Sequence, residues 1–487
     1  MSKVLLANSY LYPLDAKQWA MQQPYPPLAT LQAAAVLRQQ GHSVSVFDVS
    51  LQHNVNATED YLQSWKPDYL VIYDDGFNYL TKMCLTVMRE AAFSMILAAK
   101  KIGSQVIVSS SDSTDHYEKY LNQGADFVIR GEGEETLQEL METLRHKHDC
   151  KNIKGLAYLT NGEPCVTPAR TVMKNLDSLP MPAWDLIDLE PYKQIWLKHH
   201  GYFSLNIATT RGCPFKCNWC AKPIYGNRYN SRSPQHVADE IQWLVKNYQP
   251  DHFWMCDDIF GLKPGWIQEF NREVQNRNLK FRYKIQSRVD LLLHSDTIDA
   301  LVESGVDTVW VGAESGSQKI LDAMDKGTTI AQIHEATRLL QSKNAKVAFF
   351  LQFGYPGETK SDIRQTLKMV LQLMPDELGI SVSYPLPGTK FYENVKMQLG
   401  AKQNWVDSDD LALMFQNTYP APFYKLLHRY IHARHRMKKN FLLAMGWLRK
   451  PLGHPLTLKK ILAIPYFLLF SVALKIRMLQ FTPQTNG

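Results

Sequence analysis

Twice along this chain, short apolar runs alternate with helical patterns, and that alternation limits the fold more than any other feature. In residues 1–150 the runs are Val4–Ala7, Ser43–Phe47, Tyr69–Tyr73, Gln105–Ser109 and Phe127–Arg130. Helical periodicity separates them at Leu28–Gln40, Thr81–Lys101, His116–Asn122 and Glu134–His146. Near-continuous apolar strands joined by helices predict a parallel, doubly wound sheet covered on both faces. Pro24, Pro26 and Pro27 end the first loop and mark a helix start. From about residue 203 a second alternation begins, with expected strands Phe203–Ala208, His252–Met255, Arg282–Gln286, Thr308–Val311, Val347–Phe350 and Leu378–Val382. Six such units predict a partial β/α barrel, open on one side, with its chemistry at the carboxyl ends of the strands.

The chain is 487 residues long, too many for one core. The expected division is an N-terminal Rossmann-like domain over 1–150, a linker over 151–200, a barrel over 201–400 and a helical region over 401–487. The linker expectation rests on the proline-rich stretch Leu179–Asp185. In the tail, aromatic and basic residues mix, and the apolar run Ile461–Leu474 is flanked by Lys459, Lys460, Lys475 and Arg477. That run is short for a membrane span; it reads as a packed helix or as an interfacial membrane contact.

Net charge is +7, from 54 basic and 47 acidic residues, with much of the excess in the last hundred residues. The body of the chain has no basic patch interleaved with aromatics, so nucleic acid is not an expected partner. The N-terminus lacks the apolar core and cleavage site of a signal peptide, and a cytoplasmic chain is expected, peripheral at a membrane if the tail docks there. Seven cysteines, an odd number, argue against a disulfide framework.

Three of the seven crowd into Thr210-Arg211-Gly212-Cys213-Pro214-Phe215-Lys216-Cys217-Asn218-Trp219-Cys220, directly after the first barrel strand. Thiolates are the usual iron–sulfur ligands, and three on one loop reach three irons of one cube, leaving the fourth iron for a chelating small molecule. A structural zinc site needs a fourth ligand, which here would be a distant His199, His200 or Cys256. Glycine- or acid-bearing motifs follow the later strands: Asp257-Asp258-Ile259-Phe260, Gln286–Asp290, Gly312-Ala313-Glu314-Ser315-Gly316, Gly354–Thr359 and Pro385–Thr389. Each falls where a barrel places ligand contacts.

The cysteine segment resembles the signature of the radical S-adenosylmethionine (SAM) superfamily. The resemblance implies that Cys213, Cys217 and Cys220 hold a [4Fe–4S] cluster, that SAM chelates its open iron, and that reductive cleavage yields a 5′-deoxyadenosyl radical that abstracts hydrogen. In order and spacing, residues 1–435 resemble the branch with an N-terminal cobalamin-binding domain, which includes anaerobic magnesium-protoporphyrin ester cyclases, hopanoid-modifying enzymes and methyltransferases. Pro26-Pro27-Leu28, Gly41-His42 and Arg130-Gly131-Glu132-Gly133-Glu134-Glu135-Thr136 carry the N-terminal half of that resemblance. It implies SAM contacts at Trp219, Glu314, Ser315, Gly354 and Pro385, a carboxylate partner in Arg288, ribose contacts at Asp257 or Asp258, and cobalamin contacts at Gly131, Glu132 and Gly133.

The pattern departs in two places. No Asp-x-His occurs in the chain, so cobalamin would bind without a histidine under the cobalt. Ser109–Thr114 replaces the glycine pair that relatives carry. The expected function is methyl transfer or oxidative, ring-forming chemistry on a small molecule, lipid-like ones included, with a flavodoxin or ferredoxin as electron donor. A methylthiotransferase would need more N-terminal cysteines than Cys84 and Cys150. The competing class is a degenerate sensor or binding module without catalysis, against which the intact cysteine triad speaks.

Overall fold

In the computed structural model, five parallel strands open the chain: β1 (Lys3–Ala7), β2 (Ser43–Phe47), β3 (Tyr69–Tyr73), β4 (Gln105–Ser109) and β5 (Phe127–Ile129). The model describes all residues except 75, 77–84, 223, 401–403, 408–410, 412, 450–454 and 483–487. Cys84 and the first residues expected in the helix Thr81–Lys101 lie outside the described residues; the helix is described from Thr86 to Lys101.

The sheet order is β2-β1-β3-β4-β5-β6-β7. Its order reverses at β1, which makes the carboxyl ends of β1 and β3 the crevice where such sheets bind ligands. The sheet runs on past the boundary expected at residue 150. Strands β6 (Leu156–Thr160) and β7 (Glu163–Val166) add to it antiparallel, joined by Asn161-Gly162, both at positive φ. Two central residues at positive φ make the tight turn that matches strand twist.

The expected linker is a clamp. Helix Leu28–Gln39 has every residue from Leu28 to Leu37 buried, because it is covered by the N-terminal sheet on one side and by the 176–186 segment on the other. The Gln32 side chain donates to Pro180 O, and Ala183 N donates to Leu31 O. The fully buried Trp184 donates from Nε1 to Glu240 of the barrel. Trp196, on helix Glu190–His200, donates to Pro24 O, and Asn206 donates to Pro26 O.

The second sheet is all parallel, with strands in chain order: β8 (Ser204–Ile207), β11 (His252–Met255), β12 (Arg282–Ser287), β13 (Val306–Glu314), β14 (Lys346–Phe353) and β15 (Glu377–Val382). Side chains alternate between two faces. One face, with Phe253, Tyr283, Val309 and Phe349, is buried under the helices. The other carries Trp254, Lys284, Gln286, Trp310, Phe350 and Ser381, which stay half-buried and line the lumen. Between β8 and β11, short strands β9 (Thr210–Arg211) and β10 (Asn230–Ser231) pair antiparallel and close the cysteine loop at its base. The tail forms helices Ala421–Arg449, Pro455–Leu462 and Ile464–Leu479.

The cysteine loop and its supports

The loop leaves β9 through Gly212, whose φ is +78°. A Cβ there would come within 2.4 Å of Arg228 O. Only glycine fits both the backbone and the space. Cys213, Cys217 and Cys220 are half-buried, and none of the three is in a disulfide. Burial raises the Cys213 thiol above its usual range, while the Lys222 ammonium works the other way. Among the described residues, no three His, Cys, Asp or Glu side chains converge on a point where one metal ion could sit. A mononuclear zinc site demands such convergence, whereas a cubane cluster puts each thiolate on a separate iron. The distant zinc ligands also have other partners: His200 Nε2 lies 2.9 Å from Gln22 O, and Cys256 Sγ lies 3.3 Å from Ile207 O. The donor set fits an iron–sulfur cube.

Four sets of contacts hold the loop. Asp257, just past β11, accepts from Thr209 N and Thr210 N at 2.7 Å each and from Thr209 Oγ1 at 2.6 Å. It is fully buried, which pushes its carboxyl up to about 6 despite those bonds. Asn218, between two cysteines, donates to Ala323 O (2.7 Å) and accepts from the Tyr355 hydroxyl (2.8 Å). Its own N–H donates to Met324 O, and its carbonyl accepts from Phe391 N. The Arg288 guanidinium lies 3.7 Å from the centre of the Phe215 ring. Last, Arg211 enters a buried three-member ion cluster with Glu132 (2.5 Å) and Glu134 (2.6 Å) of the N-terminal domain.

The structure places each expected site residue as follows. Asp257 turns both oxygens to the start of the loop and positions the cysteines; Asp258 is half-buried and its charge reaches the Cys213 thiol. Ser315 is fully buried, 3.2 Å from Thr366 Oγ1, because Gly316 brings the turn against helix Lys360–Leu373. Arg288 forks onto Asp290, with two bonds of 3.0 Å, and donates to Lys326 O. Glu314 pairs with Lys326 at 2.8 Å. Glu132 does not face the crevice of the N-terminal sheet: its carboxylate goes to Arg211 and to Met173 N. Gly131 N donates to Thr114, and Gly133 sits against the Tyr73 hydroxyl and Ser109, too close for any side chain. Gly354 N donates to Glu358, and Pro385 is buried just past β15. The Trp219 ring packs beside Tyr355 and Phe391, with its Nε1 buried and without a partner among the described residues.

Sequence reasoning passed over Asn218, Arg211, Glu134 and Lys326. Asn218 and Arg211 stand inside the cysteine motif, and a polar residue amid cluster ligands was the available signal. Nothing local marks Lys326, whose partner Glu314 lies twelve residues earlier.

An open parallel barrel with three cysteines outside any disulfide on the loop after its first strand defines a class. Residues 207–370 match the family model of the radical SAM superfamily, and the chain is a radical SAM enzyme that works with a [4Fe–4S] cluster and SAM. Its relatives narrow the class further. It is 27% identical over 386 residues to an uncharacterized methyltransferase of Pyrococcus horikoshii, covering 78% of this chain and 81% of that protein. It is 25% identical to the hopanoid C-3 methylase of Methylococcus capsulatus, covering 77% and 69% respectively. It is 29% identical to the anaerobic magnesium-protoporphyrin IX monomethyl ester cyclase of Cereibacter sphaeroides over 56% of this chain and 45% of that one. Among solved structures, the fold matches the radical SAM methyltransferase TsrM of Kitasatospora setae, with cobalamin and a [4Fe–4S] cluster bound (TM-score 0.68, 20% identity, covering 82% and 78%). It also matches the cobalamin-dependent enzyme OxsB (TM-score 0.72, 18% identity, covering 98% and 72%).

Proposed function

We propose that this chain methylates or cyclises an apolar, ring-bearing small molecule at an unreactive carbon, with Cys213, Cys217 and Cys220 as the cluster ligands. The observation that carries the reading is the lumen beside the cysteine loop. Trp310 and Phe350 stand on the sheet face turned away from the helices and stack with centroids 4.6 Å apart. Aromatic walls favour flat or polycyclic apolar substrates over small polar ones. The hopanoid methylase and the porphyrin ester cyclase among the relatives are named for substrates of that kind.

When bound, the cluster and SAM supply a 5′-deoxyadenosyl radical that takes a hydrogen atom from the substrate. The chain's own residues position and enclose. Asp257 and Asn218 fix the two halves of the loop, Arg288 and the Glu314–Lys326 pair stand behind it, and Trp219 fills the space beside Tyr355. Cobalamin is the proposed second cofactor, which the crevice at the carboxyl ends of β1, β3 and β4 would hold. The sheet order supports a ligand there, and Ser111 Oγ, just past β4, is buried without a partner among the described residues. The electron donor is a small reductant of the flavodoxin or ferredoxin kind.

The test is anaerobic reconstitution with iron and sulfide, followed by electron paramagnetic resonance of the reduced protein with and without SAM. About four irons per chain, and a spectrum that changes on adding SAM, are expected. No iron uptake, or an unchanged signal after Cys213, Cys217 and Cys220 are all replaced by Ala, sinks the reading in favour of the sensor or binding module. Hydroxocobalamin added to the same sample should remain with the protein through gel filtration.

A further inference from the structure

Beyond that chemistry, we propose that the C-terminal helical hairpin docks this enzyme on the surface of an anionic lipid bilayer, lying in the interface without crossing it. Twelve of the twenty-two exposed large hydrophobic side chains among the described residues fall between Phe441 and Leu479. Scattered surface apolar residues need no explanation, but a cluster of this density on one element marks an interaction site.

The geometry shows why the patch is uncovered. Helix Ala421–Arg449 runs down the open edge of the barrel. Tyr424 stands beside Gly354 at the carboxyl end of β14, and His435 lies 2.7 Å from Pro375 O, just before β15. Lys439 donates to Asp376 O, and past that point the helix continues for about 15 Å with Phe441, Leu442, Leu443 and Met445 exposed. The last helix folds back along it, with Arg429 over the Phe470 ring and Phe481 reaching Phe423. One side of this helix, with Phe470, Ser471 and Leu474, packs on the first. The opposite side presents Leu462, Tyr466, Leu469, Ala473 and Ile476 to solvent at helical spacing. A helix of a soluble domain turns a polar face outward; this one is apolar on both sides.

Charge identifies the occupant. From Leu411 to Gly487 there is no Asp or Glu and there are twelve Lys and Arg, so this stretch carries +12 while the remainder of the chain carries −5. Lys459, Lys460, Lys475 and Arg477 are exposed at the two ends of the apolar face, and none forms an ion pair among the described residues. Basic residues bracketing an apolar face suit acidic headgroups, at about 1 kcal/mol for each basic residue near the surface. A second copy would bring like charge against like.

The hairpin lies on the bilayer and does not cross it. Helix Leu458–Leu479 has the length and composition of a membrane span, with 11% of its most apolar window buried. Its uninterrupted apolar part, Ile461–Leu474, covers only about 21 Å, against roughly 30 Å of hydrocarbon. Its other side is also occupied by the basic helix carrying Arg429, His432 and Arg436. The face runs from the amino ends of the strands, where Phe441, Leu442, Leu443 and Met445 project, toward their carboxyl ends, where Phe481 reaches Phe423 and Lys360.

Flotation of the full-length protein with phosphatidylcholine vesicles, with and without phosphatidylglycerol, tests this without reference to iron or SAM. Binding to the anionic vesicles should be at least roughly tenfold stronger and should weaken with salt. Leu469→Asp with Ile476→Asp should abolish flotation, and Lys459→Glu with Lys475→Glu should remove the preference for anionic lipid. Both variants should keep the wild-type thermal midpoint, because all four side chains are exposed; if either unfolds, the lipid and salt series on the unaltered protein still decides. Any of three results overturns the proposal: no flotation with either vesicle, retention after alkaline carbonate extraction, or a vesicle-independent dimer that Leu469→Asp disperses.

Discussion

Glu358 is the buried acid with the clearest consequence. Its Oε2 accepts from Gly354 N, its Oε1 is buried without a partner among the described residues, and burial lifts its carboxyl to about 8. An acid with a raised folded-state value holds its proton in the folded chain while the unfolded chain releases it. Its contribution is therefore fully present below about pH 4.5, the ordinary glutamate range, and is lost as the pH rises toward 8. Glu358→Gln keeps the bond to Gly354 and removes the titration. The variant should flatten the decline in unfolding free energy over that window, by a few kcal/mol at the alkaline end, as read by urea titrations at several pH values; an unchanged slope rejects the assignment. Gly212 makes a sharper point about the site. Gly212→Ala should leave both sheets folded by circular dichroism and cut iron uptake severely, because the new Cβ collides with Arg228 O inside the loop. The crowding of the three cysteines on one loop was legible, since spacing alone records it. The contacts of Asp257 and Ser315 were not. A carboxylate or hydroxyl after a barrel strand reads the same whether it faces a ligand or turns back on its own backbone, and only packing against Thr209 or Thr366 separates the two.

At the scale of elements, the parallel strands were the most readable. Ser43–Phe47, Tyr69–Tyr73, Gln105–Ser109 and His252–Met255 form as their runs predict, and the other runs differ from their strands only at the ends. Central strands such as Tyr69–Tyr73 and Gln105–Ser109, buried along nearly their whole length, demand continuous apolar runs, so there pattern and structure coincide. The hairpin β6–β7 escaped because its strands sit at the sheet edge, mostly exposed, and carry no such run. Its one signal was Asn161-Gly162, the dipeptide of a tight turn with positive φ. Gly162 has open space where a Cβ would go, so strain there is backbone strain alone. Gly162→Ala should cost about 1 kcal/mol, measured by urea unfolding, and should leave iron content unchanged. A loss of iron would mean that the hairpin supports the cysteine loop in a way its distance from that loop does not indicate.

For the whole molecule, what sequence patterning left out is how the two domains become one machine. Each alternation predicts its own sheet, and the motif Arg130–Thr136 reads as the ligand-binding turn of the first. In the structure its two acids reach into the second domain and neutralise Arg211, two residues before Cys213. All three side chains are almost fully buried. No periodicity records such a pairing, because the partners stand more than seventy residues apart. Removing one member of a buried ion cluster leaves an uncompensated charge, which costs about 3–5 kcal/mol, whereas exchanging all members for neutral side chains of similar volume is often close to neutral. The two effects separate stability from function. Glu134→Gln alone should destabilise the protein by a few kcal/mol. The triple variant Arg211→Met, Glu132→Gln, Glu134→Gln should recover most of that loss. If the cluster serves only to hold the domains together, iron uptake and the response of the spectrum to SAM will recover with stability. If the N-terminal domain uses this contact to set the cysteine loop, the triple variant will fold and still bind iron poorly. The second outcome is the one expected, because Arg211 also lies over the Tyr225 ring within the loop, and Met cannot reproduce that contact.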